Sequence, residues 1–209
     1  MTETPLTETP FLVATTNQGK KREIEAELFK LPIRFLSLAD LKIFESFPET
    51  GETFLDNARG KSLFYSRKWE GITLAEDSGL EIEYLNNAPG VHSARFSAPD
   101  ATDEKNNDKV LTQLDQVPDK KRKARFVSFM VLSQNGIVIT ELEGWVEGII
   151  TEERRGENGF GYDPLFFYPP LNRTFGQLSN KEKNKVSHRG QALLKLKAFL
   201  KDYLGISPL

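Results

Sequence analysis

Gln134-Asn135-Gly136 separates two β-rich runs, Ala124 to Ser133 and Ile137 to Leu142. Asn-Gly takes up positive φ at both central positions of a tight turn more readily than other dipeptides, so it folds one strand back on the next. An antiparallel pair is therefore expected late in the chain. The first half reads differently. Strand-like runs at Phe11 to Thr15 and Ile33 to Leu36 flank a helical stretch of roughly Lys20 to Lys30, with Ile24 and Leu28 on one face and Pro32 after its end. Helices alternating with strands early and a hairpin late predict an α/β protein built on a mixed sheet.

The remaining periodicity agrees. A second helix of about Thr53 to Trp69 turns Phe54, Ala58 and Leu63 inward. A third, Thr102 to Val117, carries acids in its first turn and Val110, Leu111, Leu114 and Val117 on one face. A strand is expected at Trp145 to Ile150, and Ser179 with Glu182 forms a capping box. The last helix, Ser187 to Leu204, places Ala192, Leu193, Leu196, Phe199, Leu200 and Tyr203 on one side. With 209 residues the chain can bury a real core as one domain. The expected division is a frayed leader at 1–10, a single domain at 11–204 and a tail at 205–209.

Composition removes several function classes. A net charge of −2 argues against nucleic-acid binding through bulk electrostatics. The chain has no cysteine, which removes disulfides, thiolate zinc and cysteine nucleophiles. His92 and His188 are its only histidines, so a metal here would be a hard cation on carboxylates, Mg²⁺ first. No apolar stretch approaches a membrane span, and the N-terminus lacks the features of a signal peptide. The cytoplasm is the expected location.

Residues 72–80, Ile-Thr-Leu-Ala-Glu-Asp-Ser-Gly-Leu, form an apolar run that ends on Glu76 and Asp77. The pattern predicts a buried strand that stops at the acids, then a second strand-like stretch from Leu80 to Tyr84. Carboxylates at the carboxyl end of a strand face the crevice in which open α/β sheets bind ligands. Adjacent residues of an extended chain point to opposite faces, so only one of the two acids reaches that crevice easily. Asp77, beside Ser78-Gly79, can hold Mg²⁺, activate water or cap a turn.

Other segments carry similar alternatives. Thr15-Thr16-Asn17-Gln18-Gly19-Lys20 joins a strand to a helix; Asn17 can cap it, and the N–H groups with Lys20 suit an anion. Ala14 stands where a Walker A loop needs glycine, so this is either another kind of phosphate turn or a capped turn with a solvated lysine. Glu49-Thr50-Gly51 offers an acid beside a glycine turn, and Asn57 and Lys61 share a helix face; all also read as polar surface. Gly156 to Pro164 interleaves glycines with Phe160 and Tyr162, which suits a planar ligand or a loop anchored by core aromatics. Lys183 to Gly190 sets basic residues at a helix N-terminus against the macrodipole, a conflict that an anion or a carbonyl would relieve. Lys120-Lys121-Arg122-Lys123 reads as a solvated loop. Anion-binding points, one or two carboxylates and a flat-ring loop together fit a nucleotide. Without a P-loop, a cysteine or a histidine pair, the natural chemistry is metal-assisted attack of water on a phosphoanhydride.

At this point the chain resembles the inosine triphosphate pyrophosphatase family, the Ham1-like diphosphatases of noncanonical purine triphosphates. The resemblance runs from about Phe11 to Leu204 and rests on motifs in order. They are Thr-Asn-Gln-Gly-Lys-Lys-Arg-Glu, Glu-Thr-Gly-Glu-Thr-Phe-Leu-Asp-Asn-Ala, Glu-Asp-Ser-Gly-Leu-Glu-Ile, Ala-Pro-Gly-Val-His-Ser-Ala-Arg-Phe, Gly-Phe-Gly-Tyr-Asp-Pro-Leu-Phe and Ser-His-Arg-Gly-Gln-Ala. It implies a two-lobed α/β fold with a long central mixed sheet flanked by helices and the active site in the cleft between lobes. It implies hydrolysis of ITP, dITP and XTP to the monophosphate and pyrophosphate, with Mg²⁺, in a homodimer that engages neither nucleic acid nor membrane.

The resemblance also implies roles. Asp77 matches the catalytic acid and a metal ligand, and Glu49 the second metal carboxylate. Thr15, Thr16, Asn17, Gln18, Gly19 and Lys20 match the triphosphate turn, Ser78 a substrate contact and Lys61 a lysine near the phosphates. Phe160, Gly161, Tyr162, Asp163, Lys183, His188 and Arg189 match the base- and phosphate-binding set. Lys20, Lys61 and Lys183 would neutralise phosphate charge. Arg189, which only donates hydrogen bonds, would accept a purine with a C6 keto oxygen and reject adenine. Glu76 stands where many members carry Asp, and Arg154 to Asn158 is bulkier than their glycine-rich version. The rival readings are a Maf-like pyrophosphatase for pyrimidine or modified nucleotides, which His188-Arg189 disfavours, and a nucleotide sensor, which would be expected to lack an acid at 77 or 49. The third is an RNA-binding module on Lys120 to Lys123 and Arg125, which the net charge weakens.

Overall fold

The computed structural model describes residues 8–206, so most of the expected leader and the end of the tail lie outside the described residues. Strand β1 (Thr9–Val13) leads into helix α1 (Gln18–Leu28), which starts two residues earlier than expected because the Asn17 side chain accepts from Lys20 N at 3.0 Å. Strand β2 (Ile33–Leu36) then returns parallel to β1. Helix α2 (Phe54–Ser66), capped by Thr53, ends short of Trp69, whose indole N–H donates to Thr73 Oγ at 2.7 Å. Leu63 is half-buried rather than inward. Strand β3 (Ile72–Ile82) also pairs parallel to β1, completing the parallel part of the sheet.

The antiparallel part follows helix α3 (Asp103–Gln113). Strands β4 (Lys123–Gln134) and β5 (Ile137–Ile150) form the expected hairpin, with φ of 51° at Asn135 and 74° at Gly136. The separate strand expected at Trp145 to Ile150 is the continuation of β5. Short β6 (Phe166–Tyr168) and β7 (Arg173–Thr174) complete a seven-stranded sheet of order β2-β1-β3-β4-β5-β6-β7. Helices α4 (Asn180–Val186), with its Ser179/Glu182 capping box, and α5 (His188–Tyr203) share Ser187 as C-cap and N-cap. Ala192, Leu193, Leu196 and Leu200 are fully buried, whereas Tyr203 is half-exposed and only stacks on Phe199 at 5.5 Å.

Two expectations fail for one reason. The strand at 72 does not stop at its acids; it runs unbroken to Ile82, because β4 pairs with it residue for residue from Thr73↔Ser133 to Ile82↔Ala124. A partner strand some fifty residues away supplies the backbone bonds that the local Asp-Ser-Gly signal would otherwise divert into a turn. The long β3–β4–β5 strands then serve two cores. One gathers Phe11, Ile24, Leu28, Leu74, Met130 and the buried side of α5; the other gathers Leu80, Ile82, Val110, Leu114, Phe126, Val146 and Phe166. A third, smaller cluster, Leu12, Ala14, Ile43, Tyr65 and Ala75, shares β1 and β3 with the first core and makes one lobe with it; the second core makes the other, and Ala14, Tyr65, Phe126 and Tyr162 line the cleft between them.

Arg122 is a second correction. It is not a solvated member of a basic run: it is buried, and its guanidinium donates to the carbonyls of Leu114, Val117 and Thr151 at 2.7, 2.9 and 3.1 Å. It thereby satisfies the carbonyls left where α3 unwinds. The approach of α5 to the sheet depends on Gly144 of β5. A Cβ there would fall on the carbonyl oxygen of His188 and the amide of Ala192, both backbone atoms that cannot swing away. Gly144→Ala is expected to cost about 1–3 kcal/mol of stability, the range for overpacking, read as a lower urea midpoint.

Candidate active site

Strand β1 ends at Val13, with one further bond from Ala14 N to Leu74 O, while its neighbour β3 continues for eight residues. Beyond that point one edge of β3 has no partner strand. A cavity of about 530 Å³ opens there, at the carboxyl end of β1. The crevice is where an open α/β sheet should have one, but it belongs to the end of β1 and to the middle of β3. An exposed strand edge is also what allows side chains from both faces of β3 to reach one cavity.

Asp77 comes from the α2 face. It is nearly buried, its Oδ2 accepts from Asn57 Nδ2 at 3.0 Å, and its Oδ1 accepts from Ser78 N at 3.0 Å. Burial pushes its carboxyl above the usual aspartate range, against the pull of Lys20 and Lys61, and the charge of Glu49 pushes the same way as burial. Glu49, from the loop before α2, is ion-paired with Lys61 and faces Arg95, which donates to its backbone carbonyl at 3.2 Å. Lys61 also reaches the unpaired edge of β3, donating to Glu76 O at 3.4 Å. Among the described residues no three carboxylate, histidine or cysteine side chains gather to hold a metal.

Glu76 comes from the opposite face, as alternation requires, and it is not idle. It accepts from Arg189 Nε at 2.9 Å and Ser128 Oγ at 2.8 Å, and Lys20 lies 3.7 Å away. Burial alone would raise its carboxyl; Arg189, Lys20 and the Ser128 bond override this and pull it down to about 2. Arg189 reaches further, donating to Glu23 Oε2 at 2.6 Å and Ser78 Oγ at 3.0 Å. Glu23 in turn accepts from Lys183 at 3.1 Å, and Lys183 donates to Asp163 at 2.5 Å. Three acids and three bases thus form one buried, balanced network. Burial is the largest influence lowering Lys20, and Glu76 acts against it.

This network answers the conflict at the start of α5. The basic residues there are compensated by the internal carboxylates Glu23, Glu76 and Asp163, not by an external anion. Lys183 is a buried ion-pair partner of Glu23 and Asp163 that also lines the cavity. His188 is buried and stacked on Phe126 at 4.7 Å, and burial with the nearby Arg189 keeps its imidazole well below the usual range and neutral. Its Nδ1 has no hydrogen-bond partner among the described residues.

The Gly-aromatic loop divides its labour. Tyr162 is a core anchor, with its hydroxyl donating to Ser93 O at 2.7 Å. Phe160 is half-buried, beside Gly19, with Lys183 4.6 Å and Arg189 5.4 Å from its ring centre. Thr15, Thr16, Asn17, Lys20, Glu49, Lys61, Asp77, Ser78, Phe160 to Asp163, Lys183, His188 and Arg189 all line the same cavity; Gln18 and Gly19 do not. Not anticipated from sequence were Glu23, Arg95, Ser128 and the polar side of α3, Asp103, Asn106 and Asn107. Glu23 had a signal: it stands one helical turn after Lys20 and beside the buried Ile24.

Glu23 carries a pH prediction. Burial would raise its carboxyl, but Arg189 and Lys183 hold it below the usual glutamate range. A depressed folded-state value gives stability that is complete above the unfolded value, near 4.5, and is lost as pH falls through the folded value. Glu23→Gln is expected to lower the urea midpoint at neutral pH and to flatten its fall below about pH 4.5.

The comparisons with known proteins agree with this geometry. The Ham1 family model matches residues 11–199. A protein of Thermoanaerobacter sp. (strain X514) named dITP/XTP pyrophosphatase is 44% identical over 189 residues, spanning 90% of this chain and 95% of that protein. One of the same name from Bacillus cereus (strain ATCC 14579) is 46% identical over 191 residues, 88% of this chain and 91% of its own. The solved HAM1 protein of Coxiella burnetii superposes with a TM-score of 0.86 at 38% identity, covering 93% of this chain and 99% of that one. The Staphylococcus aureus Ham1 protein gives 0.84 at 35%, over 93% and 99% of the two chains. With the same two-lobed sheet, and with motifs spread along the sequence converging on one cleft, this chain belongs to the Ham1 family.

Proposed function

We infer that the protein hydrolyses noncanonical purine nucleoside triphosphates, ITP, dITP and XTP, to the monophosphate and pyrophosphate. The observation that carries the reading is the juxtaposition at the end of β1. A desolvated Asp77 faces Lys20 and Lys61 beside the capped turn that opens α1, and the ring of Phe160 lies across the same cavity. The turn and the two lysines suit a polyanion, and the ring suits a base. Relatives at 44–46% identity bear the name dITP/XTP pyrophosphatase.

Asp77 and Glu49 are the residues that would hold a divalent cation, and the donor set fits one. Both are hard oxygen donors, and they lie close enough that Glu49 pushes up the Asp77 carboxyl. Two carboxylates leave coordination positions for phosphate oxygens and water, which suits Mg²⁺. When bound, the ion would neutralise charge on the triphosphate. The chain's own groups do the rest. Asp77 orients the water that attacks the α-phosphorus and accepts its proton, held in place by Asn57. Lys20 and Lys61 offset the charge that builds on the leaving pyrophosphate.

Base choice falls to Arg189. Three of its five N–H groups are committed to Glu76, Glu23 and Ser78, which fixes the fork and leaves two uncommitted on a residue that lines the cavity. A rigid donor satisfies a C6 keto oxygen and meets the adenine amino group donor to donor. A homodimer in the cytoplasm is part of the same reading, and sedimentation velocity checks the dimer. The deciding assay is pyrophosphate release from dITP, XTP, dGTP, dATP and dTTP with and without Mg²⁺. Release from dITP and XTP, dependent on Mg²⁺ and small for dATP and dTTP, is expected. No release from dITP, or equal release from all five, overturns the reading.

A further inference from the structure

The loop that carries Phe160 is gripped from the side by α3. Gly161 N donates to Asp103 Oδ2 at 2.6 Å, and Gly161 O accepts from Asn107 Nδ2 at 2.9 Å. Asp103 and Asn107 are four residues apart and so lie on one helix face. The two bonds seize the peptide groups on either side of Gly161, whose φ is +61°. Gripping both peptides fixes the direction in which Phe160 leaves one side and Tyr162 the other. Asn107 is 3% exposed, its Nδ2 also donates to Asp103 O at 2.7 Å, and its Oδ1 has no partner among the described residues.

The helix is itself anchored. Asn106 accepts from Ser97 N at 2.8 Å and donates to the carbonyls of Ser93 and Ala94. Ser93 O also takes the Tyr162 hydroxyl, and Ser93 Oγ accepts from Leu80 N of β3 at 2.9 Å. A continuous set of bonds therefore runs from the catalytic strand through Ser93 and α3 to Gly161. Within the loop Asp163 accepts from Phe160 N at 2.9 Å, and it also accepts from Lys183, which reaches the other lobe by donating to Glu23 of α1 at 3.1 Å. The loop is bound to both lobes, and its Phe160 ring takes its orientation from both.

We propose that Asp103 and Asn107 are positioning residues for base binding: by clamping Gly161 they hold the Phe160 ring in the plane against which the purine stacks. This rests on the proposed function and adds the residues that set the base subsite. Neither side chain is placed in the triphosphate turn, so the clamp acts on affinity for the base and leaves phosphate binding unchanged. Losing one hydrogen bond at such a point is worth up to about tenfold in affinity.

The test compares Asn107→Asp, which keeps the shape but removes the donor, with Asp103→Ala and the acceptor-retaining Asp103→Asn. Two readouts are taken: binding of dIMP and of inorganic pyrophosphate with Mg²⁺ by calorimetry, and hydrogen exchange of the 158–163 segment. The expected result is about tenfold weaker dIMP binding in Asn107→Asp and Asp103→Ala, pyrophosphate binding unchanged, faster exchange at 158–163, and near-wild-type behaviour in Asp103→Asn. Should Asn107→Asp fail to fold, Asp103→Ala, at an exposed position, decides alone. Unchanged exchange overturns the clamp. Faster exchange with unchanged dIMP affinity, or equal loss of dIMP and pyrophosphate, overturns its role in base binding. A wild-type protein that does not bind dIMP overturns the substrate reading instead, and exchange then decides the clamp.

Discussion

Asp77→Asn is expected to lower kcat/KM for dITP by about a thousandfold, within the range for loss of a positioned general base, with no loss of stability. The substitution keeps shape and volume, so the bond from Asn57 or the one from Ser78 can survive by rotation of the amide. What disappears is a negative charge and a proton acceptor at an acid that faces both Lys20 and Lys61. The stability side follows from the direction of the shift. Burial raises the Asp77 carboxyl, so its ionisation at neutral pH costs more in the folded protein than in the unfolded chain and works against folding. Removing that charge should leave the melting temperature equal or higher. Initial rates of pyrophosphate release alongside thermal unfolding check both halves. A folded Asp77→Asn protein with the wild-type rate would remove Asp77 from the mechanism.

Arg189→Met should have the largest effect on stability. It leaves Glu76 and Glu23, both buried, without their main counter-charge. Breaking a buried pair by removing one partner costs about 3–5 kcal/mol. For a chain of this size that is a drop of roughly 10 °C in melting temperature. Arg189→Lys should recover little, because a single ammonium cannot span Glu76, Glu23 and Ser78 as the planar fork does. Adding Glu76→Gln to Arg189→Met should restore part of the loss, since it removes one stranded charge, and the double-mutant cycle measures the coupling. A single variant that melts like the wild type would show the network to be dispensable for the fold.

Local chemistry was legible wherever it was self-contained. Asn135-Gly136 made its turn, Asn17 and Ser179 capped their helices, and Ile24, Leu28, Leu193 and Leu196 faced inward. The candidate site was legible as a set of residues because its motifs are short and chemically distinctive. Their relations to one another were not. Glu76 meets its counter-charge in Arg189, 113 positions away. Glu23 meets Lys183 across 160 positions and Arg189 across 166. Lys183 gives no sign in the sequence of its partners, Glu23 and Asp163, which the fold brings to it. No spacing rule carries such pairings, because helix and strand periodicity reach only a few residues along the chain.

The sequence by itself therefore determined the family, the mixed sheet and the acid to mutate first, since turns, caps and amphipathic faces are decided by neighbours in the chain. Only the tertiary structure decided that β3 runs through its acids, and that the cavity opens where β1 stops. It alone showed which charges close on one another, Glu23, Glu76 and Asp163 with Lys183 and Arg189, and that Asp77 and Glu49 lie outside that set. The physical reason is shared by all three. A strand's extent depends on the partner that satisfies its backbone, and a buried charge survives only beside the opposite charge that folding brings to it.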